Sequence, residues 1–162
     1  MKEKFIELYR NVALEVSKLS HAKNLKVGAI IVKEDRIISI GYNGMPTGWD
    51  NKCEDEERAA DGRYINPEDC WVYDNDNRSY VRQKTKPEVL HAERNAIDKI
   101  AKTGGTGAIN SIMFTTHMPC MECAKSIYSV GITSLYYANP YRMDDGVKFL
   151  KKCGVHVVES KR

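Results

Sequence analysis

The stretch His91-Ala92-Glu93-Arg94-Asn95-Ala96-Ile97, running on to Thr103-Gly104-Gly105, and the stretch Ile112-Met113-Phe114-Thr115, running on to Pro119-Cys120-Met121-Glu122-Cys123, decide how this chain folds. In the first, Ala92, Ala96, Ile97 and Ile100 recur at helical spacing until two glycines end the pattern, which predicts a helix entered at His91. The short apolar run Ile112–Thr115 predicts a strand. Pro119, favoured in a first helical turn, is expected to open the next helix, whose apolar face carries Cys123, Ala124, Ile127 and Val130 and which Gly131 ends. Helix, strand and helix in close succession are the repeating step of an α/β sheet.

Working outward, Phe5, Leu8, Tyr9, Val12, Val16 and Leu19 predict an amphipathic helix over about residues 3–19. Val27 to Val32 and Ile37 to Ile40 read as a hairpin around the polar turn 33–36, and the first run is apolar almost throughout, as in an interior strand covered on both faces. Downstream, a strand at Ser134–Ala138 leads through Asn139-Pro140-Tyr141-Arg142 to a helix from near Asp144, capped by Gly154, and to a last strand at Val155–Val158. The fold class is therefore α/β: a three-layer α-β-α sandwich around a mixed five-stranded sheet, its β-α-β steps parallel and right-handed.

Residues 1–162 read as one domain interrupted by an irregular insertion at about 45–88, where both periodicities fade and Gly, Pro, Asn and Asp accumulate. Within it the Glu- and Ala-rich part from Cys53 to Asp61 is expected to form a helical turn or more. Composition narrows the function. An apolar fraction of 42%, a charged fraction of 29% and no apolar run near the ~20 residues of a membrane span fit a water-soluble, cytoplasmic protein. A net charge of +3 without a Lys/Arg stripe gives no groove for a nucleic-acid polymer, while a phosphate on a small substrate stays compatible. Five cysteines, an odd number with one C-x-x-C, suit metal binding in a reduced compartment better than a disulfide framework.

His91, Cys120 and Cys123 supply one imidazole and two thiols. Catalytic zinc takes three protein ligands and leaves a position for water, whereas structural zinc closes all four with Cys and His. The fourth group here is Glu93, suited to moving protons beside the metal. Cys120 and Cys123, three apart at a helix start, face one side, and the positive end of the helix dipole favours their thiolates. Alone, His91 would read as a surface or capping histidine. Paired with C-x-x-C across one strand, it reads as a ligand.

H-x-E followed by P-C-x-x-C is the signature of zinc nucleobase deaminases. With Val27–Val32, the run Gly41-Tyr42-Asn43-Gly44-Met45-Pro46-Thr47-Gly48, HAERNAI from residue 91 and Thr116-His117-Met118-Pro119-Cys120, the chain resembles the deoxycytidylate (dCMP) deaminases of phage and bacterial type. That resemblance covers most of the chain and is weakest between Trp49 and Pro87. It implies hydrolysis of dCMP to dUMP and ammonia, with zinc on His91, Cys120 and Cys123 and Glu93 shuttling protons. It also implies substrate contacts from Asn43, to the sugar, and from Ala92. Lys26 and Arg142 are candidates for the phosphate, with Tyr141 and His117 lining the pocket. Gly41 and Gly44 would permit tight turns near a nucleotide, and Gly41, Tyr42, Gly44 and Met45 would form a regulatory loop answering to dCTP, carried with Mg²⁺, as activator and dTTP as inhibitor, in a homohexamer. Asn43 alone could equally be hairpin-exit turn chemistry.

Cys53, Cys70 and Cys153 remain. Cys153 reads as a small buried hydrophobe, and Cys53 and Cys70 as free cysteines, with a second zinc shared with His21 as the alternative. Two other functions compete: a deaminase of dCTP, cytidine or a nucleic-acid base, and, from a different class, a structural zinc module in an interaction protein. The second wants a fourth Cys or His beside the other three, and only Glu93 stands there.

Overall fold

The computed structural model describes residues 1–60, 71–104, 107–141 and 143–160. Twelve elements follow in the order α1 (Glu3–Ser17), β1 (Gly28–Lys33), β2 (Arg36–Tyr42), β3 (Glu54–Ala60), β4 (Val72–Asp74), β5 (Ser79–Thr85), α2 (Ala92–Thr103), β6 (Ser111–His117), α3 (Met121–Ser129), β7 (Ile132–Asn139), α4 (Asp145–Lys152) and β8 (His156–Glu159). The main sheet has five strands in the order β2-β1-β6-β7-β8. It is mixed: β1 runs antiparallel to β2 and β6, while β6, β7 and β8 are parallel, as the single-helix connections through α3 and α4 require.

Alternation along the strands sorts the core into two layers. Ile30, Val32, Phe114 and Tyr136 point to one face, where Tyr9, Ala13 and Val16 of α1 cover them. Ala29, Ile31, Met113 and Leu135 point to the other, against Ala96 and Ile97 of α2, Ala124 and Ile127 of α3 and Leu150 of α4. That is the expected three-layer sandwich. β1 is buried through Val32, which explains its unbroken apolar run.

Two expectations shift at the boundaries. α3 starts at Met121 with Cys120 as its N-cap, so Pro119, expected in the first turn, precedes the cap. Cys153, expected as a small buried hydrophobe, is half-buried as the C-cap of α4.

The larger correction concerns the stretch expected to be irregular. Residues 54–85 carry a second, three-stranded antiparallel sheet in the order β3-β5-β4. The helical turn expected from Cys53 is instead β3, and Asp61, like Cys70, lies outside the described residues. Its Glu residues are helix formers in isolation, but here they face basic partners across the strand pair. Glu57 stands opposite Arg82 and binds it at 2.7 Å and Lys84 at 2.8 Å. Cys53, 1% exposed, packs with Ala22, Val89 and Met45, and His21 is exposed.

Candidate active site

His91 is the N-cap of α2 (φ −72°, ψ 151°) and Cys120 the N-cap of α3 (φ −68°, ψ 169°), and neither side chain caps its own helix. This slot usually holds Ser, Thr, Asp or Asn, whose oxygen satisfies a free amide of the first turn. Here the extended N-cap backbone turns both side chains away from their helices and toward each other. His91 Nδ1 lies 3.5 Å from Cys120 Sγ and 3.5 Å from Cys123 Sγ, and the three donor atoms lie within 4.8 Å of one another. Tetrahedral zinc, at about 2.3 Å from sulfur and about 2.0–2.1 Å from nitrogen, needs nitrogen and sulfur about 3.5 Å apart. Both nitrogen–sulfur edges of the donor set therefore have zinc's length. Among the described residues no other group of three His, Cys, Asp or Glu is so disposed.

The protons of this cluster are unevenly shared. Hydrogen bonds from Cys123 and then His91 hold the Cys120 thiol down at about 3. Cys123 is pushed up by its bond to Cys120 and by burial, and the Cys120 partner raises His91. A thiolate gathered among donors that a cation would displace is the chemistry of a soft-metal site. Glu93, in the first turn of α2, is 4% exposed, and burial pushes its carboxyl up.

Close backbone contacts fix the two helix starts. Gly41 sits in β2 where a Cβ would run into the Ala92 carbonyl oxygen and the Ala96 nitrogen, so only glycine lets α2 lie this close to the sheet edge. Ser39 Oγ donates to Ala96 O at 2.6 Å and Asn95 Nδ2 to Tyr42 O at 2.9 Å, tying the same helix down. Gly146 plays the corresponding part for α4, where a Cβ would meet the carbonyl oxygens of Pro119 and Cys120. The turn reading of Gly41 and Gly44 is thus corrected. Neither has positive φ, and Gly41 is there for helix contact.

A pocket opens over the donor set, lined on its floor by His91, Ala92, Glu93 and Cys120. One wall is His117, Met118 and Tyr141; the other is Leu25, Val27, Asn43, Glu54, Thr85 and Val89. Asn43 is held at both ends of its amide, Nδ2 donating to Leu25 O and Oδ1 accepting from Val27 N–H, each at 2.8 Å. Thr116 Oγ1 accepts from Gly28 N–H at 3.1 Å and lies 3.0 Å from His117 Nδ1; burial lowers the His117 pKa.

Of the residues expected at the site, His91, Ala92, Glu93, Cys120, Asn43, His117 and Tyr141 meet at this pocket, with Cys123 beside it through His91. Lys26 does not line it. Its side chain is exposed while its neighbours Leu25 and Val27 face in, because adjacent side chains on extended chain point to opposite sides. Arg142 lies outside the described residues. Tyr42 is half-buried with Lys99 Nζ 5.4 Å from its ring centre, and Met45 packs beside Cys53. Glu54 and Thr85, brought in by the small sheet, and Gly146 have no local sequence signal. They are visible only once β3 pairs with β5 and α4 docks.

Residues 3–139 match the family described as the cytidine and deoxycytidylate deaminase zinc-binding region. The deoxycytidylate deaminase of Enterobacteria phage T4 is 35% identical over 148 residues, spanning 80% of this chain and 75% of its own. The human deoxycytidylate deaminase is 32% identical, spanning 94% and 84%. Among solved structures, the dCMP deaminase of cyanophage S-TIM5 in complex with dCMP and dUMP superposes with a TM-score of 0.79 at 36% identity, over 99% of each chain.

Proposed function

The chain belongs to the zinc-binding cytidine and deoxycytidylate deaminase family, and from that premise we propose that it hydrolyses dCMP to dUMP and ammonia, supplying dUMP for thymidylate synthesis. The observation that carries this is the His91, Cys120 and Cys123 donor set at zinc spacing, with a buried carboxylate in the first turn of α2 and a pocket opening above it. Zinc bound there supplies a Lewis acid that brings the pKa of a water to about 7. Glu93 takes a proton from the attacking water and delivers it to the ring nitrogen beside the attacked carbon; it then takes the remaining proton from the newly added hydroxyl as the C–N bond breaks and gives it to the departing amine, which leaves as ammonia. Burial keeps bulk water from competing for those protons. Ala92, between ligand and acid, touches the base, Asn43 the sugar, and Tyr141 the outer part of the nucleotide. Lys26, exposed between the pocket-lining Leu25 and Val27, and Arg142 stay as phosphate candidates.

The whole of 1–162 acts as one catalytic domain in this reading, in a reducing cytoplasm, supported by described cysteines that are all free. No helix among the described residues is long and apolar enough to cross a membrane. The same reading carries dCTP with Mg²⁺ as activator and dTTP as inhibitor at the loop of Gly41, Tyr42, Gly44 and Met45, in a homohexamer, and rests on the dCMP-deaminase resemblance. Bound zinc per chain, followed by ammonia release from dCMP, dCTP, cytidine and cytosine-containing oligonucleotides, tests the substrate. Turnover of dCMP well ahead of the others is expected, and preference for any other overturns the choice. A sigmoidal rate curve made hyperbolic by dCTP would support regulation; a hyperbolic curve unchanged by either triphosphate discards it.

A further inference from the structure

We infer that Glu54 receives the 3′-hydroxyl of the nucleotide, so that the three-stranded sheet forms a substrate-reading wall of the active site; this rests on the dCMP reading above. Glu54 is the first residue of β3 and lines the same pocket as His91 and Glu93. Its Oε1 accepts the backbone N–H groups of Lys23 at 2.9 Å and Asn24 at 3.2 Å. Among the described residues Oε2 takes no hydrogen bond, which leaves an acceptor on a carboxylate whose position is already fixed. Asn43 pins the adjoining Leu25 and Val27, so Glu54 and Asn43 hold one loop between them and are set before a ligand arrives.

Chemistry then selects the ligand atom. An ionised carboxylate only accepts hydrogen bonds, so it must face a donor. A cytosine nucleotide offers its exocyclic amine and its sugar hydroxyls. The amine has to lie over Glu93 and the metal ligands, where it leaves. The phosphate is an anion that a carboxylate repels. On a 2′-deoxy sugar the 3′-hydroxyl is the donor that remains. Thr85, paired directly across from Glu54, completes that polar corner.

The test is a cycle of two enzymes and two substrates: the zinc-loaded wild type and Glu54→Ala, each assayed for kcat/KM with dCMP and with 2′,3′-dideoxycytidine monophosphate. A hydroxyl donating to a charged acceptor implies that wild type prefers dCMP by about 10- to 100-fold. In Glu54→Ala that preference should shrink to under threefold, mostly through KM, with zinc content unchanged. If the variant loses the same factor on both substrates, Glu54 only braces the 23–27 loop and the proposal fails. It fails equally if wild type turns over both substrates alike. Wild type inert on both with zinc bound would instead overturn the dCMP reading, and this proposal with it. Should Glu54→Ala not fold, Glu54→Gln keeps an acceptor for the two backbone amides. Its preference for dCMP should fall at least threefold below wild type, and full preference would reject the assignment.

Discussion

In the five-stranded sheet Ile30, Ile31, Met113, Phe114 and Leu135 are at most 1% exposed, whereas in the three-stranded sheet Val72 is 70% exposed and the cross-strand contacts include the ion pairs of Glu57 with Arg82 and Lys84. The first sheet is held by apolar burial on both faces and presents the donor set at the ends of two helices it positions. The second contributes Glu54 and Thr85 to one wall of the pocket, and its cross-strand charge pairs are reached by water. Burial of apolar surface is strong and insensitive to salt, while exposed ion pairs contribute little and are screened. The molecule thus carries its metal-ligand set on the sheet with the larger apolar core and part of its pocket wall on the sheet with exposed ion pairs.

The largest effect that would sharpen this division is chemical. Glu93→Gln should lower kcat by about 10²–10⁴-fold while zinc content and melting temperature stay at wild-type values; full turnover would remove Glu93 from the mechanism. Next comes the core of the large sheet. Phe114, stacked on Tyr136 at 4.9 Å and tilted against Tyr9 at 5.3 Å, should cost about 3–5 kcal/mol when cut to Ala, lowering the melting temperature by roughly 6–20 °C. Gly41→Ala forces a methyl against the backbone of α2, an overpacking cost of about 1–3 kcal/mol, and by shifting the turn that carries Glu93 it should lower kcat as well. A variant with normal stability and rate would show that α2 can slide freely on β2.

The smallest effect belongs to the small sheet. Hydrogen bonds from Lys84 and Arg82 hold the Glu57 carboxyl below its ordinary range. A lowered folded-state pKa means that this contribution is complete above the unfolded value of about 4.3 and is lost as pH falls through the lowered one. Amide resonances of β5 should therefore respond to acidification before those of β1 and β6, and Glu57→Gln should remove that early response without moving the global melting temperature. A loss of stability as large as that of Phe114→Ala would break the contrast between the two sheets.

What the sequence made legible follows the same division. The large sheet announces itself because each strand is a contiguous apolar run and each helix carries its own spacing and stop, and His91, Glu93, Cys120 and Cys123 stand in two short motifs. The small sheet reads as irregular, with a helical turn at 53–61, because most residues from Glu54 to Ala60 are helix formers locally. Their strand state depends on partners at 79–85, remote in sequence, and on charge pairing that has no periodic signature. Glu54 escaped for that reason, and Gly146 because nothing local shows that α4 must touch the Cys120 backbone.

The vacant capping role of His91 and Cys120 has one more consequence. An ion clasping both residues joins chain positions 29 apart, and it does so only in the folded state. It therefore acts as a removable cross-link. On the chain-entropy scale used for disulfides, closing a loop of that size withdraws about 3–4 kcal/mol of freedom from the unfolded chain. The ion that equips the pocket for hydrolysis is, by the same contacts, a clamp whose occupancy sets how far the two helices can be pulled apart.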